Sequence, residues 1–198
     1  MTTKILLSVG AGILGGIFYR NNIIIDNLNG LIDLGLCMLL FFVGMDIGKN
    51  KEIFNDLKKM GFKVCLLPLS IVAGTLAGGV VASFFTDLSL IESSAVSAGL
   101  GWYSLSAIEL SKHSAELGSV AFLSNVFREV LAIILIPFIG RHIGHHETIA
   151  AAGATSMDTL LPIITKSTNS SIAVISFFTG VVLSSLVPIL VPLIMRLQ

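Results

Sequence analysis

The sequence predicts an all-α integral membrane protein, and three observations carry that reading. Of 198 residues, 54% are hydrophobic and only 12% are charged, about half the charged share of a soluble domain. Mean hydropathy is +0.93. Apolar runs near the roughly 20 residues that a bilayer crossing needs recur at about 4–20, 30–48, 62–86, 119–140 and 171–195. The expectation is a single membrane domain over 1–198, with five full transmembrane helices and two broken or re-entrant segments, in the manner of inverted-repeat transporters.

The first run, KILLSVGAGILGGIFYR, is a span rather than a signal peptide, because Arg20, Asn21 and Asn22 follow directly and no A-x-A-like cleavage site appears. The second ends in FFVGMDIGKN, where Asp46 can reach water beside the following lysines; Asp33 and Glu109 do likewise. Between the second and third runs lie Lys49, Lys51, Lys58, Lys59 and Lys63, whereas the turn after the third, TDLSLIE, carries only acids. Lysine excess marks the cytoplasmic side, which puts the N-terminus inside and the C-terminus outside. The pairs Gly12/Gly16 and Gly74/Gly78 suit close helix contacts.

Two further segments, 93–112 (SSAVSAGLGWYSLSAIELSK) and 147–166 (ETIAAAGATSMDTLLPIITK), are apolar but rich in Gly, Ser and Thr. Each is either a full broken span or a re-entrant hairpin, and charge counting does not choose. Ala98 to Leu105 can be laid on Ala152 to Leu160 with one inserted residue, and each stretch follows a long apolar span. With five spans those two long helices run in opposite directions, the relation of inverted repeats.

Chemistry concentrates in LSNVFREVLAIILIP, where Asn125, Arg128 and Glu129 are related by three and four positions and share one helix face. A charge at mid-bilayer costs about 2.5 kcal/mol on insertion scales and more by simulation, so this face points at protein or a polar cavity. The plainer reading is a clasp, with Arg128 bridging Glu129 or a neighbouring helix's carbonyls. The preferred reading is a polar path, since two ionisable groups and an amide exceed what fixing a helix pair requires. In GATSMDTLLP, Gly153 and Pro162 loosen the backbone around Asp158, with Ser156 and Thr159 beside it. Such backbone at membrane depth is tolerated where it lines a cavity or is buried in protein; helix capping is the plainer role for Asp158. In GLGWYSLS, Trp102, Tyr103 and Ser104 follow Gly99 and Gly101. The aromatics serve either as interfacial anchors or as faces for a cation at an unwound stretch.

Other groups are read as structural. Cys37 and Cys65 sit in apolar runs as packing residues, and His142, His145 and His146 in RHIGHHE are solvated loop residues rather than metal ligands. No metal or cofactor is expected, and no basic tract suggests a nucleic-acid partner. An intramembrane enzyme is not expected either, because no paired aspartates stand in a protease-like setting and no serine has a histidine base within the membrane.

Taken together and in order, GWYSLS, AFLSNVFREVLAIILIP and GATSMDTLLP resemble the LysO family of bacterial lysine exporters, and the similarity runs from LFFVGMDIGKN to VVLSSLVPILVP. The resemblance implies a secondary transporter in the bacterial plasma (inner) membrane, exporting L-lysine and its analogues from the cytoplasm by proton or cation exchange. It makes Asp158 the critical intramembrane acid. The expected substrate and ion site comprises Asp158, Arg128, Glu129, Asn125, Trp102, Tyr103, Ser104, Ser156 and Thr159. Arg128 or a half-helix N-terminus would take the α-carboxylate, Asp158 the ε-ammonium or a counter-transported proton, and Glu129 would tune either. Family members usually have a few more N-terminal spans, so a separately encoded small membrane subunit, or a homodimer, is the expected partner. The alternative is a non-transporting accessory subunit whose polar face docks such a partner.

Overall fold

A computed structural model of the chain describes residues 61–198 together with Leu7, Ala11, Leu14, Gly15, Met38, Phe41 and Met45. The chain divides into two compact units, Met1–Met45 and Asp46–Gln198. Apart from those seven positions, the expected spans at 4–20 and 30–48 lie outside the described residues, as do Gly12, Gly16, Cys37, Asp46 and the lysines from 49 to 59.

A short 3-10 turn at Gly61–Cys65 leads into helix α1 (Leu66–Ser83). Then follow α2 (Leu90–Ser97), α3 (Tyr103–Ser111), α4 (Ala115–His142), α5 (His145–Ala152), a second 3-10 turn (Gly153–Met157), α6 (Leu161–Ser167) and α7 (Ser170–Met195). No strand occurs among the described residues. Three of these helices, α1, α4 and α7, are long and apolar enough to cross a membrane; α4 and α7 cover the apolar runs at 119–140 and 171–195, and α1 lies within the run at 62–86.

Local chemistry sets the boundaries. Ser89 and Glu92 form a reciprocal capping box that starts α2. Side chains of Ser114 and Asn169 accept N–H groups at the starts of α4 and α7. Pro162 stands in the first turn of α6, where its missing N–H is not needed. Both breaks contain left-handed backbone: Leu100 (φ 49°) and Gly101 (φ 111°) after α2, and Gly153 (φ 63°) after α5. A residue in that region cannot continue a right-handed helix, and glycine enters it without the steric cost a side chain carries.

The order long helix, short helix, break, short helix thus occurs twice, as α1–α2–α3 and α4–α5–α6. Near the end of α4, a Cβ at Gly140 would meet both the Thr148 side chain and the Ser167 carbonyl. The start of α5 and the end of α6 therefore lie at the same end of α4, and the chain folds back on itself between them. Helix α7 runs antiparallel to α4: Ile172 shares a cavity with Gly140 to His146 at one end, and Met195 shares another with Lys112 and His113 at the other.

Burial on α4 is the reverse of that on a soluble helix. Asn125 is 4% exposed, while Phe127 is 63%, Leu131 56% and Phe138 56% exposed. Each such apolar side chain left in water forgoes roughly 1.5–3 kcal/mol, whereas hydrocarbon removes that penalty. Asn125, Arg128 and Glu129 instead bond inward, to the break after α2, to the end of α5 and to Thr159 ahead of α6.

Candidate functional site

The site is the point where the two breaks meet the inner face of α4. Asn125 accepts the Gly101 N–H through Oδ1 at 2.8 Å and donates its amide to Ala121 O, four residues back, at 2.9 Å. One turn on, Arg128 Nη2 donates to Leu100 O in the first break and to Ala152 O at the second, both at 2.6 Å. The breaks also touch directly, since Ala154 N–H donates to Leu100 O at 2.9 Å. Of the two forms of clasp, bridging to Glu129 or to backbone carbonyls, the guanidinium makes the second.

Electrostatics explain why a buried guanidinium is stable there. Removing an arginine from water costs several kcal/mol unless good acceptors replace the solvent. Its acceptors are carbonyls at or just beyond the C-terminal ends of α2 and α5, ends that carry partial negative charge. The approach requires glycine. At Gly101 and Gly153 a Cβ would run into the Arg128 guanidinium, and both backbones are left-handed. Arg128 Nε is buried without a hydrogen-bond partner among the described residues.

The carboxylates converge beside this clasp. Thr159 Oγ1 donates to Glu129 Oε1 at 2.6 Å, while its N–H donates to Asp158 Oδ1 at 2.6 Å. Asp158 Oδ1 also lies 3.4 Å from the Thr159 hydroxyl, whose single proton can serve one carboxylate at a time. Glu129 and Asp158 are near enough to interact electrostatically, and the Tyr103 phenol feels both. Tyr103 is held edge to face with Phe122, their ring centroids 5.5 Å apart.

The remaining expected residues are distributed differently. Trp102 is the N-cap residue of α3, which begins without a side-chain cap, and both Trp102 and Ser104 are exposed there. Ser156 is turned to α7, where it and Ser176 each donate to the other's backbone carbonyl, at 3.0 and 2.8 Å. Asp158 caps no helix by its side chain; Leu160 is the N-cap of α6. Sequence reading missed the acceptors Leu100 O and Ala152 O, because a carbonyl leaves no mark on residue type. It also missed Ser176, and Thr179, whose buried hydroxyl has no hydrogen-bond partner among the described residues. No His, Cys, Asp and Glu grouping among the described residues is arranged to hold a metal.

Comparison with known proteins agrees with the motifs. The family model described as Lysine exporter LysO matches residues 6–195. The chain is 35% identical over 160 residues to a putative lysine exporter of Haemophilus influenzae (strain Rd), covering 78% of this chain and 79% of the relative. It is 35% identical over 159 residues to the lysine exporter LysO of Escherichia coli (strain K12), covering 79% of this chain and 52% of the relative. The match thus spans about half the length of the Escherichia coli relative. No solved structure matches the chain. With a family match along nearly its whole length and 35% identity to two of the family's curated relatives, this chain belongs to the Lysine exporter LysO family.

Proposed function

We propose that this protein exports L-lysine and close analogues from the cytoplasm across the bacterial inner membrane, as a secondary transporter that exchanges the amino acid for a proton or another cation. One observation carries the reading. Two broken segments meet on α4 beside a pair of carboxylates, Glu129 and Asp158, that share one threonine hydroxyl. Irregular backbone joined to intramembrane acids is how many transporters build a midplane site.

The division of labour follows from what each group already binds. Arg128 Nη2 is committed to Leu100 O and Ala152 O, so the guanidinium holds the two breaks in register. The α-carboxylate goes instead to the uncapped start of α3, where first-turn N–H groups and the positive end of the helix favour an anion, flanked by Trp102, Tyr103 and Ser104. The ε-ammonium goes to Glu129 and Asp158, with Thr159 between them. Two neighbouring carboxylates resist holding two negative charges, so the pair retains one cation, either ammonium or proton. Loss of one requires arrival of the other, which is exchange.

The repeated order α1–α2–α3 and α4–α5–α6 supports an inverted pair, five spans in all, with the N-terminus inside and the C-terminus outside. Alternating access then moves the 147–166 hairpin against α4 and α7. The test is efflux of labelled lysine from proteoliposomes holding the purified chain. Efflux of lysine, but not of leucine, that accelerates under an imposed proton or cation gradient supports the reading. Equal release of both amino acids, indifferent to any gradient, would refute it.

A further inference from the structure

The α4–α5 turn, RHIGHHE in sequence, has no part in that mechanism. A cavity of about 390 Å³ opens there, lined by Arg141, His142, His145 and His146 with Gly140 and Gly144. His142 is tied down, its Nδ1 3.0 Å from Phe138 O and its ring stacked on Phe138 at 4.5 Å. Arg141, His145 and His146 are exposed, and their side chains make no hydrogen bond or ion pair among the described residues, although the His145 carbonyl accepts the Thr148 hydroxyl.

Helix-end electrostatics account for half of this cluster. Arg141 and His142 stand in the last turn of α4, where cations offset the negative end of the helix. His145 and His146 open α5, an end whose first-turn N–H groups favour an anion. Glu147 is the single acid in that first turn, and its carboxylate is turned back against Gly144. The start of α7 brings a second positive helix end to the same cavity through Ile172. The turn thus gathers the Arg141 guanidinium, three imidazoles that can donate N–H groups and two positive helix ends around one cavity.

Its depth and its apolar surroundings identify the anion. At about 1.5 Å per residue, the 28 residues of α4 span about 42 Å, well beyond a hydrocarbon core of roughly 30 Å. The end of α4 thus reaches the headgroup layer. Ile143, 64% exposed, adds an apolar contact beside Arg141, which suits a lipid and not a free ion. We infer that the α4–α5 turn binds the phosphodiester headgroup of an anionic phospholipid. The bound lipid braces the root of the hairpin, where Thr148 and Ser167 meet Gly140.

The test is native mass spectrometry of the full chain in mild detergent, with equal amounts of phosphatidylglycerol and phosphatidylcholine added. Retention of phosphatidylglycerol should exceed that of phosphatidylcholine about fivefold, the effect of roughly one basic side chain at an anionic surface. The triple variant Arg141→Gln, His145→Asn, His146→Asn should lose the preference while keeping its helical circular dichroism. Lys112→Gln with Arg196→Gln, at the opposite end, should keep it. Equal retention of the two lipids, or a preference surviving in the triple variant, would overturn the assignment. So would displacement of phosphatidylglycerol by millimolar inorganic phosphate, which would indicate a free-anion site.

Discussion

Arg128 joins three elements through one nitrogen, so its replacement tests the clasp directly. Each lost bond to a charged donor is worth about 1.5–3 kcal/mol in soluble proteins, but hydrogen bonds between membrane helices average about 0.6 kcal/mol by double-mutant cycles. Both acceptors also keep another donor, Ala154 N–H on Leu100 O and the Thr155 hydroxyl on Ala152 O. Arg128→Leu should therefore lower stability by about 1–3 kcal/mol, read as an earlier thermal transition in detergent, and should abolish lysine efflux. Wild-type stability with wild-type efflux would remove the clasp from the mechanism. Gly153→Ala should be at least as damaging, because a left-handed alanine costs on the order of 1 kcal/mol before any clash and its Cβ meets the guanidinium. The shared face of Asn125, Arg128 and Glu129 could be read from spacing alone, since helical periodicity is local. The link from Glu129 to Thr159 spans 30 residues, and no local pattern encodes it.

Among elements, apolar run length located the long helices well. The run at 119–140 became Ala115–His142, extended by the Ser114 cap at one end and by Arg141 and His142 at the other. Glycine placed the breaks for a physical reason, since Gly101 and Gly153 adopt backbone that other residues avoid. The direction of the chain beyond each break was not legible, because hydropathy has no sign along the membrane normal. Single cysteines introduced in a background lacking Cys37 and Cys65 provide the test. Cysteines at His146 and Asn169, which flank the 147–166 hairpin, should react with an impermeant thiol reagent from the same side of the membrane, opposite to a cysteine at Ser114. Labelling of the first two from opposite sides would mean that the segment spans. For 93–112, five spans require cysteines at Asp87 and Ser114 to label from the outside together; a cytoplasmic Ser114 would give six spans.

For the whole molecule, the open question of partnership has a physical handle. Among the described residues nothing lies within 4 Å of where a Cβ at Gly74 or Gly78 of α1 would stand, and such small residues let another helix approach closely. We propose that a small membrane subunit or a second copy of this chain packs there. Mass analysis in mild detergent should find a complex that Gly74→Leu with Gly78→Leu dissociates, and a monomer that exports lysine when reconstituted alone would contradict this. Composition made the membrane class legible, and three motifs made the family legible. Exchange itself rests on whether one carboxylate pair carries both lysine and its counter-ion. The most direct measurement is labelled-lysine efflux by Asp158→Asn, which keeps size and hydrogen bonding but removes the charge. Efflux should fall about tenfold or more, at least roughly 1.4 kcal/mol of lost interaction, at every pH, with normal insertion. Efflux comparable to wild type at several pH values would contradict it.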